Sequence, residues 1–388
     1  MERPARAGAA TPGAFTAEAT AGLRGLPADG DPVVLGYYPS LTTNPFQALL
    51  YQQVREHAIA PVRLRSEDQL AELEALQASG IRTVLHLHWL HPVLRGATSV
   101  EDARARSDDF LRRIDSYRAS GGFLVWTVHN ILPHEARFEA EEGELGAAVA
   151  ARSDLIHVLA ARTAELVGPL YPLPLDRIVH VPHPNYSGVY PDHVSRLDAR
   201  HELGLRPDEL VYLVLGAIRP YKGLAELLDA WDEMPDDRPR RLVIAGFPTD
   251  ELGVASILER AALHPTVVLD ARKIPAQEMQ VFLRAADVAV LPYRRALNSG
   301  ALMLALTFGV PAIVPRPSGL TDLVDEHFSR TFDGDDPSAM AQVLRDAAVL
   351  ATPVARAAAA AAAAAVPPPD VSHRYALALR EMLATTIS

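Results

Sequence analysis

The sequence predicts an α/β protein built from two doubly wound parallel-sheet domains that face each other across a cleft. Three observations lead there. Short apolar runs alternate with amphipathic stretches from residue 32 onward, the rhythm of strand–helix–strand units in a parallel sheet. The turn-rich run His183–Asp192 interrupts that rhythm, and a second alternating series starts at Leu210. The chain has 388 residues, of which 49% are apolar, too long for one ordinary core and sufficient for two.

In chain order, residues 1–30 are small, polar and dotted with Pro and Gly, and read as a flexible leader. A first domain over 31–190 has strands at Val33–Tyr37, Val62–Leu64, Ile81–Trp89, Gly122–His129, Leu155–Leu159 and Ile178–Val181. Its helices fall at Pro45–His57, Glu67–Gln77, Val100–Ser120, Leu145–Arg152 and Arg162–Leu170, the longest carrying Leu111, Ile114 and Tyr117 at helical spacing. A second domain over 191–366 opens with a helix at Arg196–Leu203. Its strands are Val211–Leu215, Arg241–Ile244, Val267–Leu269, Val288–Leu291, Ala312–Val314 and a short one near Thr331–Phe332. The alanine tract Ala357–Ala365 has the best helix propensity and ends at three prolines. Residues 367–388 are a linker and a last helix, Ser372–Thr385.

Composition excludes several classes. A net charge of −11 argues against nonspecific nucleic-acid binding and, less strongly, against a basic membrane-surface patch, although Arg238, Arg240 and Arg241 form a local basic cluster. There is no cysteine, so disulfides, thiolate catalysis and cysteine-held zinc are excluded. The first residues lack a signal-peptide core, and no run reaches the roughly 18 apolar residues of a membrane span. A cytoplasmic location is expected. Neither GxGxxG after the first strand nor GxxxxGK[ST] occurs, so a phosphate site must be built differently.

Two stretches of the second domain offer such a site. LVLGAIRPYKG, Leu213–Gly223, is a strand emptying into a loop with Arg219 and Lys222; Pro220 fixes the turn and Gly223 tightens it. ADVAVLPYRRALNSGALMLALTFGVP, Ala286–Pro311, is a strand, a loop with Asn298, Ser299 and Gly300, and a helix start. Taken alone, Ser299 is an ordinary helix cap. Beside two cations it becomes a place for a diphosphate, which needs fixed positive charge and a helix N-terminus.

These pieces carry a resemblance. GAIRPYKGLAELLDAW, RLVIAGF, IPAQEMQVFLRAADVAVLPY, LTFGVPAIVP and SGLTDLV stand in the order and spacing of the nucleotide-binding half of GT-B glycosyltransferases. The resemblance implies two Rossmann-like domains. It implies a donor diphosphate on Arg219, Lys222, Asn298, Ser299 and Gly300, and a base near Lys273 and Ile274. The retaining members of family 4 carry two glutamates eight residues apart in this region; here Ala296 and Leu304 stand at those positions. LNSGALMLAL looks more like the bacterial exopolysaccharide transferases that add mannose or glucuronate in xanthan assembly.

The first domain is less specific. HLHW sets His86 and His88 on one face of a strand end, with His91 just after; no carboxylate partner set accompanies them, so core or cleft lining is expected rather than a metal site. TVHNILPHE is the better catalytic candidate. His129 ends an apolar strand, Asn130 follows, and Glu135 opens the next segment. His129 could be the general base on an acceptor hydroxyl or a hydrogen-bond donor to the sugar; Glu135 could equally be the base, or only a helix-end charge. Thr43 and Asn44 in the first strand–helix loop and His183 at the domain junction are further cleft candidates.

The resemblance implies a hexosyltransferase that moves sugar from a GDP- or UDP-sugar to a saccharide, lipid-linked or small-molecule hydroxyl, with no cofactor and no metal. Polysaccharide or glycoconjugate synthesis is the expected setting, with peripheral membrane contact left open and no nucleic-acid partner. A sugar-nucleotide epimerase of the same fold and a non-catalytic nucleotide-sugar-binding protein are the alternatives.

Overall fold

The computed structural model describes residues 13–28, 30–41, 44–133, 136–294 and 296–385. Two six-stranded sheets organise it, and every strand pairing is parallel. The first is made of β1 (Val33–Tyr38), β2 (Ile59–Arg63), β3 (Arg82–Leu87), β4 (Phe123–Val128), β5 (Leu155–Val158) and β6 (Ile178–His180), in the order β2-β1-β3-β4-β5-β6. The second is made of β7 (Leu210–Leu215), β8 (Arg240–Ala245), β9 (Val267–Asp270), β10 (Val288–Val290), β11 (Ala312–Arg316) and β12 (Ser329–Asp333), in the order β12-β11-β10-β7-β8-β9. The central strands are buried on both faces, as their near-continuous apolar runs require.

The order of the second sheet decides where a ligand goes. Successive strands run outward from β7 on one side and from β10 on the other, so the crevice opens between β7 and β10. Ligands of open parallel sheets sit at such a switch point, beyond the carboxyl ends of the strands. The loops leaving β7 and β10 are the two stretches with Arg219, Lys222 and Ser299. They touch: a Cβ on Gly223, whose φ is +69°, would lie 1.9 Å from the Pro292 carbonyl oxygen.

Two segments differ from expectation. The leader contains a helix, Ala14–Leu23, packed on β2 with Phe15 and Ala19 fully buried. Burying Phe15 is worth about 1.5–3 kcal/mol, and the Thr16 N–H and hydroxyl both donate to Glu72 Oε2, at 2.9 and 3.0 Å. The last helix, Pro368–Thr385, crosses back to the first domain, where Val371, Tyr375, Leu379 and Leu383 share a core with Val33, Leu35 and Val125. The alanine tract has a packing reason. Ala359 and Ala363, one helical turn apart, let the helix Pro353–Ala364 lie close against the helix Gly300–Thr307 and the Gly309 turn.

Candidate active site

A cavity of about 1470 Å³ lies between the two domains. Asn44, His129, Asn130, Glu142 and His183 line it from the first; Arg219, Lys222, Asn298, Ser299 and Gly300 line it from the second.

On the second-domain wall, a short 3₁₀ turn at Pro220–Lys222 sets the two cations. Arg219 approaches Glu251 at 3.7 Å. The Lys222 ammonium lies 5.7 Å from the centre of the Tyr293 ring, and no carboxylate among the described residues pairs with it. Ser299 caps the helix Gly300–Thr307, its hydroxyl accepting from the Leu302 N–H at 3.2 Å. Gly300 is needed for contact, because a Cβ there would lie 2.7 Å from the Tyr186 hydroxyl. Asn298 joins the domains: its Nδ2 donates to the His129 carbonyl at 2.5 Å.

On the first-domain wall, His129 stacks on Trp89 (ring centres 4.2 Å apart, 17° between planes) and meets the edge of Phe46. Burial, then the neighbouring His88, holds its imidazole neutral, well below the usual histidine range. Its Nε2 faces His88 Nδ1 at 3.0 Å. His183 donates from Nδ1 to the Pro184 carbonyl at 2.7 Å, and burial lowers it to about 4. Asn44 stands just before a short helix, its Oδ1 accepting from the Phe46 N–H at 3.0 Å.

Glu142 is a cleft carboxyl that sequence reasoning missed; Glu139, Glu226 and Asp335 also line the cavity. Glu142 sits in the first turn of a helix that begins at Glu139 rather than Leu145. It is 8% exposed, has no hydrogen-bond or ion-pair partner among the described residues, and burial pushes its carboxyl up to about 7. A desolvated carboxyl in a cleft is a functional candidate. The signal was faint because EAEEG reads as a solvated acidic run around a glycine.

Other expected residues fall elsewhere. His88 is in the core beneath His129, bonded to Tyr51 and His129, and is not on the cavity wall. Lys273 and Ile274 follow the edge strand β9 and do not line the cavity; Ile274 is buried against Val281 and Phe282, while Lys273 is exposed. Thr43 and Glu135 lie outside the described residues. Arg240 and Arg241 do not form a free basic patch, since Arg240 binds the Met234 and Pro235 carbonyls and Arg241 pairs with Glu209. Among the described residues no group of His, Asp and Glu is placed to hold a metal ion, and no single helix is long and apolar enough to cross a membrane.

Two parallel-sheet domains with a cationic loop and a helix start at the switch point define the class of molecule, and comparison with known proteins agrees. Residues 209–349 match the family model described as "Glycosyl transferases group 1". The chain is 28% identical over 296 residues to the GDP-mannose:glycolipid 4-beta-D-mannosyltransferase of Xanthomonas campestris, 74% of each chain. It is 34% identical over 165 residues to the D-inositol 3-phosphate glycosyltransferase of Streptomyces coelicolor, 40% of this chain and 36% of that one. Among solved structures it shares its fold with sucrose-phosphate synthase from Thermosynechococcus elongatus (TM-score 0.68, 14% identity, 92% of this chain and 100% of that one). The same holds for Anabaena HepE in complex with UDP and glucose (TM-score 0.65, 13% identity, 89% and 99%). The chain is a glycosyltransferase of the GT-B fold.

Proposed function

We propose that this enzyme transfers a hexosyl group, with mannose from GDP-mannose the first donor to test, to a hydroxyl of a lipid-linked saccharide, by single displacement and without a metal ion. The observation that carries the donor side is the convergence of Lys222, Arg219 and the Ser299-capped helix start on one cavity at the switch point. The similarity to a glycolipid mannosyltransferase across most of both chains favours the donor and acceptor class.

In this reading the diphosphate lies against Arg219, Lys222 and the helix Gly300–Thr307. Fixed cations and a helix dipole favour the leaving group, whose charge grows as the bond to the sugar breaks. The acceptor lies against the first-domain wall. Its hydroxyl oxygen attacks the anomeric carbon, the carbon–oxygen bond to phosphate breaks, the nucleoside diphosphate leaves, and the hydroxyl proton passes to Glu142. A carboxyl lifted to about 7 is matched to that task near neutral pH. His129, held neutral, is a weaker base and serves as a hydrogen-bonding group to the substrate. The setting is glycoconjugate assembly at the cytoplasmic face of a membrane, where the lipid-linked acceptor is presented.

The test is incubation of the full chain with labelled GDP-mannose, UDP-glucose or UDP-glucuronate and a lipid-linked saccharide extract in excess chelator. Label moving into the organic phase only when acceptor is present is the expected result. Donor changed without acceptor would make the protein an epimerase, and transfer abolished by chelator but restored by manganese would overturn the metal-free mechanism.

A further inference from the structure

A continuous chain of hydrogen bonds runs from the cavity wall into the core of the first domain. His129 Nε2 meets His88 Nδ1 at 3.0 Å, and His88 Nε2 meets the Tyr51 hydroxyl at 2.7 Å. Both the Tyr51 and the Tyr375 hydroxyls lie 2.7 Å from His86 Nδ1. His86 Nε2 meets Thr127 Oγ1 at 2.7 Å, Thr127 Oγ1 meets His157 Nδ1 at 2.9 Å, and His157 Nε2 ends the chain on the Val181 carbonyl at 2.8 Å. Every member is buried. Burial holds His86, His88 and His129 well below the usual histidine range and His157 at about 4, so all four rings are neutral and each carries one ring proton.

One end of the chain has a fixed sense, and that sense propagates. A carbonyl only accepts, so His157 carries its proton on Nε2 and offers a bare Nδ1. Thr127 therefore donates to His157 and accepts from His86 Nε2–H, which leaves His86 Nδ1 bare. Two hydroxyls compete for that one lone pair. Among the described residues Tyr375 reaches only the His86 ring, whose Nε2 carries the proton given to Thr127, whereas Tyr51 also touches His88 Nε2. A buried proton without an acceptor is costly, so Tyr375 donates to His86 and Tyr51 donates to His88. His88 then carries its proton on Nδ1 and gives it to His129 Nε2. The only ring nitrogen of His129 left for a proton is Nδ1, the one not turned toward the core.

We propose that this chain locks His129 as its Nδ1–H tautomer, so that the substrate cavity meets an imidazole N–H donor aimed at a substrate oxygen, with Tyr375, Tyr51, His86 and His88 acting as positioning residues. The inference rests on the reading of the cavity as the substrate site. It also gives the last helix a share in the active site, since Tyr375 stands on it. Removing the Tyr375 hydroxyl has a defined consequence: Tyr51 becomes free to donate to His86 Nδ1 and to accept from His88 Nε2–H. His88 Nδ1 is then bare, His129 must place its proton on Nε2, and the cavity meets a lone pair.

The experiment is a proton–nitrogen correlation spectrum of the imidazole rings in the full chain with isotope-labelled histidine, read without substrate, with the His129 signals assigned by their loss in His129→Gln. The wild type is expected to show His129 protonated on Nδ1, Tyr375→Phe to show it protonated on Nε2, and Tyr51→Phe to show a mixture. Transfer should fall about tenfold in Tyr375→Phe. A wild-type His129 protonated on Nε2 overturns the inference without any variant, and so does a Tyr375→Phe spectrum unchanged from wild type. The expected tautomer in a wild type that transfers no sugar would instead strike the reading of the cavity.

Discussion

Replacing Glu142 by Gln should raise stability and abolish most activity, and both effects can be sized. The carboxyl ionises at about 7 in the folded protein against 4.5 in the ordinary case, because burial disfavours the charged form. A raised carboxyl costs stability as pH rises from the unfolded value through the folded one, and the full cost is present above pH 7. At 1.36 kcal/mol per pH unit that cost is about 3 kcal/mol. Gln fills nearly the same volume without the charge. Glu142→Gln is therefore expected to be about 2–3 kcal/mol more stable than wild type at pH 8 and almost unchanged at pH 4. Transfer should fall roughly 10²–10⁴-fold, the contribution of a general base. In wild type the rate should rise with pH to a plateau above about 7, and the mutant should lack that limb. Denaturant titrations at the two pH values, with initial rates from pH 5.5 to 9, make the assay. A mutant that transfers normally at pH 8 would move the proton acceptor elsewhere, Glu135 first; one with unchanged stability would mean the carboxyl is not desolvated.

Two further outcomes concern the fold and the loops. Gly223→Ala forces a left-handed backbone on a residue with a Cβ, about 1–2 kcal/mol, and drives that Cβ into the Pro292 carbonyl; thermal melting and nucleotide titration should both show loss, and an unaltered melting temperature would contradict the contact between the β7 and β10 loops. Acid should destabilise the protein between pH 6.5 and about 4: His157 and His183 fall to about 4 and His86, His88 and His129 are also lowered, so the unfolded chain binds protons that the folded one refuses, at about 3 kcal/mol for each group with a stated value. Glu142 acts oppositely in that window, but one carboxyl is outweighed by five imidazoles. Melting temperatures flat from pH 7 down to 5 would refute this.

The sheet strands were legible because buried parallel strands are apolar runs, and no tertiary knowledge is needed to find them. The strand Ile59–Arg63 begins three residues before the expected Val62 and contains Pro61, which β2 tolerates as an edge strand. The helix Ala14–Leu23 escaped because only Phe15 and Ala19 mark its buried face. At the site, the loops after β7 and β10 could be read locally, since each carries its own chemistry. The spacing of His86 and His88 put them on one face, but what they touch, Tyr375 and Tyr51, comes from distant sequence and is fixed only by folding. The same holds for Asn298 and the His129 carbonyl, 169 positions apart. Glu142 was invisible because burial of an unpaired carboxyl runs against composition, and such a departure is what a functional site introduces.

The proposed function puts a nucleoside diphosphate between the β7 loop and the start of the helix Gly300–Thr307. Calorimetric titration of GDP and UDP into wild type and Lys222→Ala tests it most directly, with thermal melting to show that the variant is folded. One of the two nucleotides should bind wild type, and loss of a charge-assisted contact of about 1.5–3 kcal/mol should weaken it roughly 10- to 150-fold in the variant. Equal affinity in a folded Lys222→Ala, or no binding of either diphosphate to wild type, would contradict the account.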